Sequence, residues 1–176
     1  MTKNYLTSLI EITDPDNPPQ SIRLLARTND KLNYDDEFLS FYQQGNFLSI
    51  VDHGIVTPKY KPAYLSTRQF DAPLAVLPWL VNKLDFFIKP SSQGGLPPNK
   101  IATDKEQVSG EYLILTRAMD AGNARREGGY SIYNLVRQNY SNSNHQGVTF
   151  SDSYLFQGGL LDLWKDLATK YQNGTL

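Results

Sequence analysis

The stretch Arg125-Arg126-Glu127-Gly128-Gly129-Tyr130-Ser131-Ile132-Tyr133-Asn134-Leu135-Val136-Arg137-Gln138-Asn139-Tyr140 decides how this chain is read. Its aromatic and branched residues suit a pleated strand, and a basic, glycine-bearing loop leads into it. Period-two geometry places Tyr130, Ile132, Asn134, Val136, Gln138 and Tyr140 on one face, and Ser131, Tyr133, Leu135, Arg137 and Asn139 on the other. A strand that only fills a core has no need of the Arg and the amides. Tyr133 and Arg137 fall two pleats apart on one side, where a ring and a guanidinium plane can flank a flat group. Arg125 and Arg126 then suit phosphates. The competing reading is an ordinary exposed strand, because Tyr fits pleated surfaces, or a protein interface, where Tyr and Arg are enriched.

Outward from this strand the pattern stays mixed. Strands are expected at about 111–119 and 148–156. A helix is expected from Gly159 to Tyr171, with Leu160, Leu163, Trp164, Leu167, Ala168 and Tyr171 on one stripe and Asp166 to Lys170 as an i,i+4 pair. Upstream, Asp71 to Lys89 reads as a helix capped by Asp71, with Pro73 in its first turn and a kink at Pro78. Residues 90–109 read as one long flexible loop.

The N-terminal third is expected to hold a hairpin over residues 5–27, with Ile12 opposite Ile22 and Glu11 opposite Arg23 across the turn at Asp14-Pro15-Asp16-Asn17-Pro18-Pro19. A short helix follows from Asn33 to Gln44, with Asp35, Asp36 and Glu37 at its start and Gly45 past its end. Phe47 to Val56 reads as a strand broken near Asp52-His53-Gly54, and 57–70 as irregular or edge-like. There is no internal repeat and no regular βαβ alternation. The expected class is therefore α+β: one domain over residues 1–176, a mainly antiparallel sheet with helices on one face.

Bulk properties narrow the functions. A net charge of −1 argues against a generally basic nucleic-acid binder, so an anionic partner needs a local patch. Residues 1–40 carry a balance of −3, whereas 41–70 and 121–150 each carry +2. The chain has no cysteine, which excludes disulfides, thiolate metal sites and cysteine nucleophiles. No signal-peptide core or membrane span is evident, and the expectation is a soluble, cytoplasmic protein with no membrane partner.

Enzyme chemistry finds little support. Asp52 and His53 are adjacent, but neighbouring strand residues diverge, and a surface turn explains them better. His145 has the surroundings of a loop, and two histidines without paired carboxylates make no zinc site. Asp152 would share a buried face if 148–156 were one strand, but Ser151-Asp152-Ser153 reads better as a cap ending the strand. Gly94-Gly95, Gly128-Gly129 and Gly158-Gly159 match no phosphate cradle, and no cofactor is implied. The leading expectation is a non-enzymatic binding module. Its exposed sheet face would hold single-stranded nucleic acid or another flat anionic partner through Arg125, Arg126, Tyr133 and Arg137. The alternatives are a protein-interaction or assembly factor, including a homo-oligomer, and a small enzyme using Asp52, His53 or Asp152.

Overall fold

The computed structural model describes residues 6–33, 36–123 and 125–176. Tyr5, the first residue of the expected hairpin, and Asp35, at the start of the expected short helix, lie outside the described residues. The class is α+β. Two four-stranded antiparallel sheets are each a meander: β1 (Arg23–Asn29), β2 (Glu37–Gln44), β3 (Phe47–Val56) and β4 (Tyr64–Pro73) make the first. The second holds β5 (Thr103–Val108), β6 (Glu111–Ala118), β7 (Gly129–Gln138) and β8 (His145–Ser151). Helix α1 (Val76–Ile88) follows the first meander, and α2 (Asp152–Phe156) and α3 (Leu160–Gln172) follow the second. The chain thus repeats one plan, four strands and then helix, although its sequence shows no repeat. Burial pattern is enough to specify such a layer, and residue identity is not.

The helices and the inner sheet faces share one core. Leu39, Phe41, Leu48, Ile50 and Phe70 come from the first sheet, and Leu113, Leu115, Ile132 and Phe150 from the second. Trp164 of α3 is fully buried between them. Its ring meets Phe41 edge-on at 5.5 Å and Phe150 at 5.8 Å, and its Nε1 donates to the Leu77 carbonyl of α1 at 3.0 Å. One indole therefore ties both sheets and both long helices, and it has a partner for its only donor. The expected Asp166–Lys170 pair on the outer face of α3 is present at 2.7 Å.

Several expectations are corrected. The segment read as a helix over 33–44 is β2 from Glu37 onward. Leu39 and Phe41 face the main core while Ser40, Tyr42 and Gln44 face the other way, and both sets are buried. Burial on both faces removes the polar alternation that marks a strand and leaves an apolar run that imitates a helical stripe. Gly45 is no helix terminator. At φ +57° it opens the two-residue hairpin turn that pairs Gln44 with Phe47. β3 continues unbroken through Asp52-His53-Gly54, and the 57–70 segment resolves into β4 from Tyr64, a terminal strand of its sheet.

The N-terminal hairpin does not form. Residues 6–12 are not a strand, and β1 pairs with β2 instead. The segment is held by side-chain amides. Gln44 Oε1 accepts from Ile10 N at 3.0 Å, Gln44 Nε2 and Gln69 Nε2 donate to Ile10 O at 2.9 and 3.0 Å, and Gln69 Oε1 accepts from Ile12 N at 2.7 Å. These bonds satisfy backbone groups that a ladder would otherwise pair. Residues 6–22 become a strap across the first sheet, and Ile12 and Ile22 bury together against Tyr42 and Val51. Arg23 has no Glu11 opposite it, and its guanidinium donates to Gln43 Oε1.

α1 begins at Val76, five residues later than expected, because β4 runs on through Asp71 to Pro73. Pro78 then falls in the first turn, where its missing N–H costs no bond, and the expected kink has no cause. The 90–109 connection is also shorter than expected. A 3₁₀ turn occupies Ser91–Gln93, and β5 takes Thr103–Val108, closed onto β6 by the two-residue turn Ser109-Gly110.

Asp71 joins the two sheets. It is fully buried, and its Oδ1 accepts from Ser49 Oγ and from Gln69 Nε2 at 2.8 Å. Its Oδ2 accepts from Tyr140 Oη at 2.8 Å and Gln146 Nε2 at 3.0 Å. Its backbone N donates to Gln146 Oε1 at 2.8 Å, and its backbone O accepts from Asn134 Nδ2 at 2.8 Å. Replacing it by Ala strands several buried donors, each worth about 1–3 kcal/mol, so urea denaturation of Asp71→Ala should show a loss of about 3–5 kcal/mol.

Candidate functional site

The second sheet turns its inner face to the helices and leaves its other face open at many positions. Register fixes which side chains meet there. Lys105, Ile114, Tyr133 and Gly147 make one row across all four strands, and Thr103, Thr116, Ser131 and Thr149 make the next. Gln107 and Tyr112 pair in a third row at the β5–β6 end. Tyr133 is 38% exposed and Tyr112 45%, so both rings offer surface to a ligand. Lys105 Nζ lies 5.1 Å from the Tyr112 ring centre, within the diagonal reach of neighbouring rows. Ser131 and Thr149 hydroxyls bond each other at 2.7 Å. The three rows carry a lysine, two tyrosines and several hydroxyls, and no carboxylate.

Gly147 sets the pose of Tyr133. A Cβ built on that glycine would come within 2.4 Å of Tyr133 Cδ1 and 2.6 Å of Cε1. The ring therefore lies across the β8 backbone, in space that any other residue would occupy. A phenol held this way is flat against the sheet, with its outer side free for stacking.

The structure separates the four residues expected to form the site. Tyr133 stays on the open face. Arg125 and Arg126 are exposed in the β6–β7 hairpin loop, beyond the end of the threonine row. Asn123 shapes that loop: its Oδ1 accepts from Glu127 N at 3.3 Å, its Nδ2 donates to Glu127 Oε1 at 2.7 Å, and its carbonyl accepts from Arg126 N at 3.0 Å. Arg137 is the correction. It is buried on the opposite side, ion-paired with Glu111 and 5.0 Å from the Phe47 ring centre. Its Nη1 also donates to Thr7 O in the strap at 3.0 Å. The β7–β8 register shifts between Asn134 and Gln138, and this irregularity breaks the two-residue parity that put Tyr133 and Arg137 on one face.

The residues weighed for enzyme chemistry do not converge. Asp52 and His53 point to opposite faces of β3, as adjacent strand residues must. Asp52 pairs with Arg68 at 2.5 Å, while the buried His53 Nε2 lies 2.9 Å from Ser40 Oγ. Ser40 Oγ also accepts from Arg27 Nε at 2.7 Å. Asp152 opens α2, where Arg117 grips it through both Nη atoms at 2.6 and 2.5 Å and itself lies over the Tyr130 ring. Ser151 caps that helix, its hydroxyl accepting from Tyr154 N, as its composition predicts. Among the described residues, no three His, Cys, Asp or Glu side chains gather closely enough to hold a metal ion.

Beside the open face lies a feature that the sequence did not reveal. The terminal strands β4 and β8 meet at Asp71 and Gln146, and a cleft of about 800 Å³ lies between the two sheets. β2, β3 and β4 wall one side, and β8 with residues 120–123 walls the other. Asp30, Glu37, Asp52 and Asp120 line it against Arg68, so the cleft is acidic where the face is not. Tyr133, Gly147 and Thr149 lie on the rim shared by both. Lys105, and with it the Lys105–Tyr112 pair, escapes the sequence reading because residues 90–109 read as loop where the structure has β5. Its Ser109-Gly110 turn ahead of alternating residues was the available signal.

No protein-family model matches the chain, and no curated protein matches it. No helix among the described residues is long and apolar enough to cross a membrane.

Two outcomes follow from these positions. Arg137→Met leaves the Glu111 carboxylate buried without its cation, and chemical denaturation should show a loss of about 3–5 kcal/mol, recovered in part by adding Glu111→Leu. Burial, with the Arg27 guanidinium second, holds the His53 imidazole below its ordinary value of 6.5. A lowered folded value means fewer protons bound in the native state, so this contribution is full above pH 6.5 and is lost as pH falls through the folded value. The urea midpoint should therefore drop on acidification below pH 6.5, and the slope should flatten in His53→Gln.

Proposed function

We propose that this protein is a non-enzymatic binding module that holds single-stranded nucleic acid on the open face of its second sheet. The observation that carries the reading is the Tyr133 ring laid over Gly147, exposed and next to the Lys105–Tyr112 pair on a face without carboxylates. Bases stack on such rings whatever their sequence, each contact being worth about 1–3 kcal/mol. The hydroxyls of Thr103, Thr116 and Thr149 offer donors to sugar and phosphate oxygens, and Arg125 and Arg126 extend the positive charge past the strand ends. Arg137 has no part in it. Tyr133 and Tyr112 lie on neighbouring strands and adjacent rows, a spacing that suits two successive unstacked bases. A double helix, with its bases already stacked, gains nothing from the rings.

The overall charge of −1 makes the patch local, so binding should be salt-sensitive with a shallow slope that reports few neutralised phosphates. Fluorescence anisotropy with a labelled mixed-sequence 20-mer should show binding at low salt and preference for the single strand over its duplex. Tyr133→Ala should weaken binding by about 1–3 kcal/mol. Arg125→Ala with Arg126→Ala should reduce the salt slope by about two phosphates. Absence of binding at low salt, or equal affinity in Tyr133→Ala with the fold intact, would overturn the proposal.

A further inference from the structure

We infer that the end of the β3–β4 hairpin is a docking site for an anionic lipid surface. Register shows how far it projects. β2 pairs with β3 only as far as Glu37 opposite Gly54, whereas β3 and β4 stay paired for two rows more, Ile55 with Leu65 and Val56 with Tyr64. Alternation puts these rows on opposite sides. Ile55 continues the side of Val51, which packs under the strap, and Val56 continues the side of Ile50 in the main core. All four residues are exposed, and Tyr60 in the turn is 86% exposed. The hairpin end is therefore apolar and open to solvent on both sides.

The charge of the same segment has one sign. From His53 to Phe70 the chain carries Lys59, Lys61 and Arg68 and no carboxylate. Arg68 is held by Asp52 at 2.5 Å, so the two lysines of the turn are the charges left for a partner. Lys59 Nζ lies 5.1 Å from the Tyr60 ring centre. The nearest acids, Asp36 and Glu37, stand beside Gly54 at the base of the hairpin end, behind the turn. In a chain of net charge −1 this makes a positive tip on a body that is not positive, and the tip is what an anionic surface attracts.

The aliphatic pairs select lipid over other polyanions. A nucleic acid would use the lysines and the Tyr60 ring and leave Ile55, Val56 and Leu65 wet. A flat protein surface would cover one side. Lipid is fluid and closes round both. Phenols settle at headgroup level, lysine stems extend to the phosphates, and aliphatic side chains dip toward the acyl boundary. Burial of about 5–10 Å is enough for an interfacial contact, and two rows of strand project about 7 Å. Pro58 and Pro62 lower the cost, because a turn entering this layer then has two fewer N–H groups to take out of water. The contact is peripheral, since no helix among the described residues is long and apolar enough to span a membrane.

The test is co-sedimentation of the full chain with vesicles of phosphatidylcholine containing about a third phosphatidylserine, and with vesicles of phosphatidylcholine alone. Binding should saturate on the first, fall as salt rises, and be about tenfold weaker or more on the second. Each basic residue at such a surface is worth about fivefold, so Lys59→Glu with Lys61→Glu should weaken binding about 25-fold or more. Ile55→Ser with Leu65→Ser, both at exposed positions, keeps the charge and should still weaken binding about tenfold. No binding to phosphatidylserine vesicles at low salt, equal binding to both compositions, or unchanged affinity in either double variant would overturn the inference. Oligonucleotide binding, which rests on Tyr133, Arg125 and Arg126, should be unchanged in Lys59→Glu with Lys61→Glu. Its loss there would make the turn a nucleic-acid contact and overturn the lipid assignment. Arg125→Ala with Arg126→Ala should leave vesicle binding unchanged, so either reading can fail without the other.

Discussion

A single buried carboxylate sets the geometry of the whole molecule. Asp71 sits where the terminal strand of the first sheet touches the terminal strand of the second, with no exposure to solvent. Desolvating such a charge costs several kcal/mol, and the cost is offset only if its lone pairs are filled. Ser49, Gln69, Tyr140 and Gln146 fill them, drawn from β3, β4, the segment after β7, and β8. Tyr140 responds in kind: burial first, and then the Asp71 charge, push its phenol well above the ordinary value, so it stays a donor. Gln69, Glu111 and Arg137 carry the network on to the strap, through Ile10 and Thr7. Specific donors at specific positions fix one register between the sheets, which apolar packing alone would leave freer to slide.

The cleft and the open face are consequences of that junction. Sheets pinned at Asp71 and bridged on the helix side by Trp164 enclose a wedge of space between them, and the cleft is that wedge. The first sheet has its outer face covered by residues 6–22, whereas among the described residues the second has no strap of its own. One plan used twice therefore yields one covered face and one open face. The open face is where exposed tyrosines cost least and where a ligand has access. The difference between the halves, more than the fold they share, is what makes a binding reading possible.

Sequence reading succeeded where a strand has one wet and one dry face. β6, β7 and α3 were legible because polar and apolar residues alternate at the proper period, and the end of β8 was legible because Ser151-Asp152-Ser153 carries its own capping chemistry. β2 was not, because strap and core bury both of its faces. The strap was not, because its hydrogen-bond partners are the side chains of Gln44 and Gln69, which no local pattern announces. Tyr133 was placed correctly by parity. Arg137 was misplaced by the same parity, since the irregularity after Asn134 leaves no trace in composition. The acidic cleft draws Asp30, Glu37, Asp52 and Asp120 from four separate segments, and only the fold brings them together.

The distribution of charge gives the arrangement its sense. A chain of net charge −1 has no long-range attraction for a polyanion, and a binding face can work only if nearby acids are kept off it. The rows of the second sheet meet that condition, because the acids of β5 and β6 point inward. Asp104 and Glu106 bond Lys83 of α1, Glu106 also accepts from Trp79 Nε1, and Glu111 bonds Arg137. Alternation thus sorts Lys105 and Tyr112 to one side and the carboxylates to the other within a few residues. Asp30, Glu37, Asp52 and Asp120 line the cleft, around a rim that includes Tyr133. On the proposed reading, a strand stacked on the face would meet repulsion if it strayed across that rim, and the acidic wall would then bound the path open to a phosphate backbone.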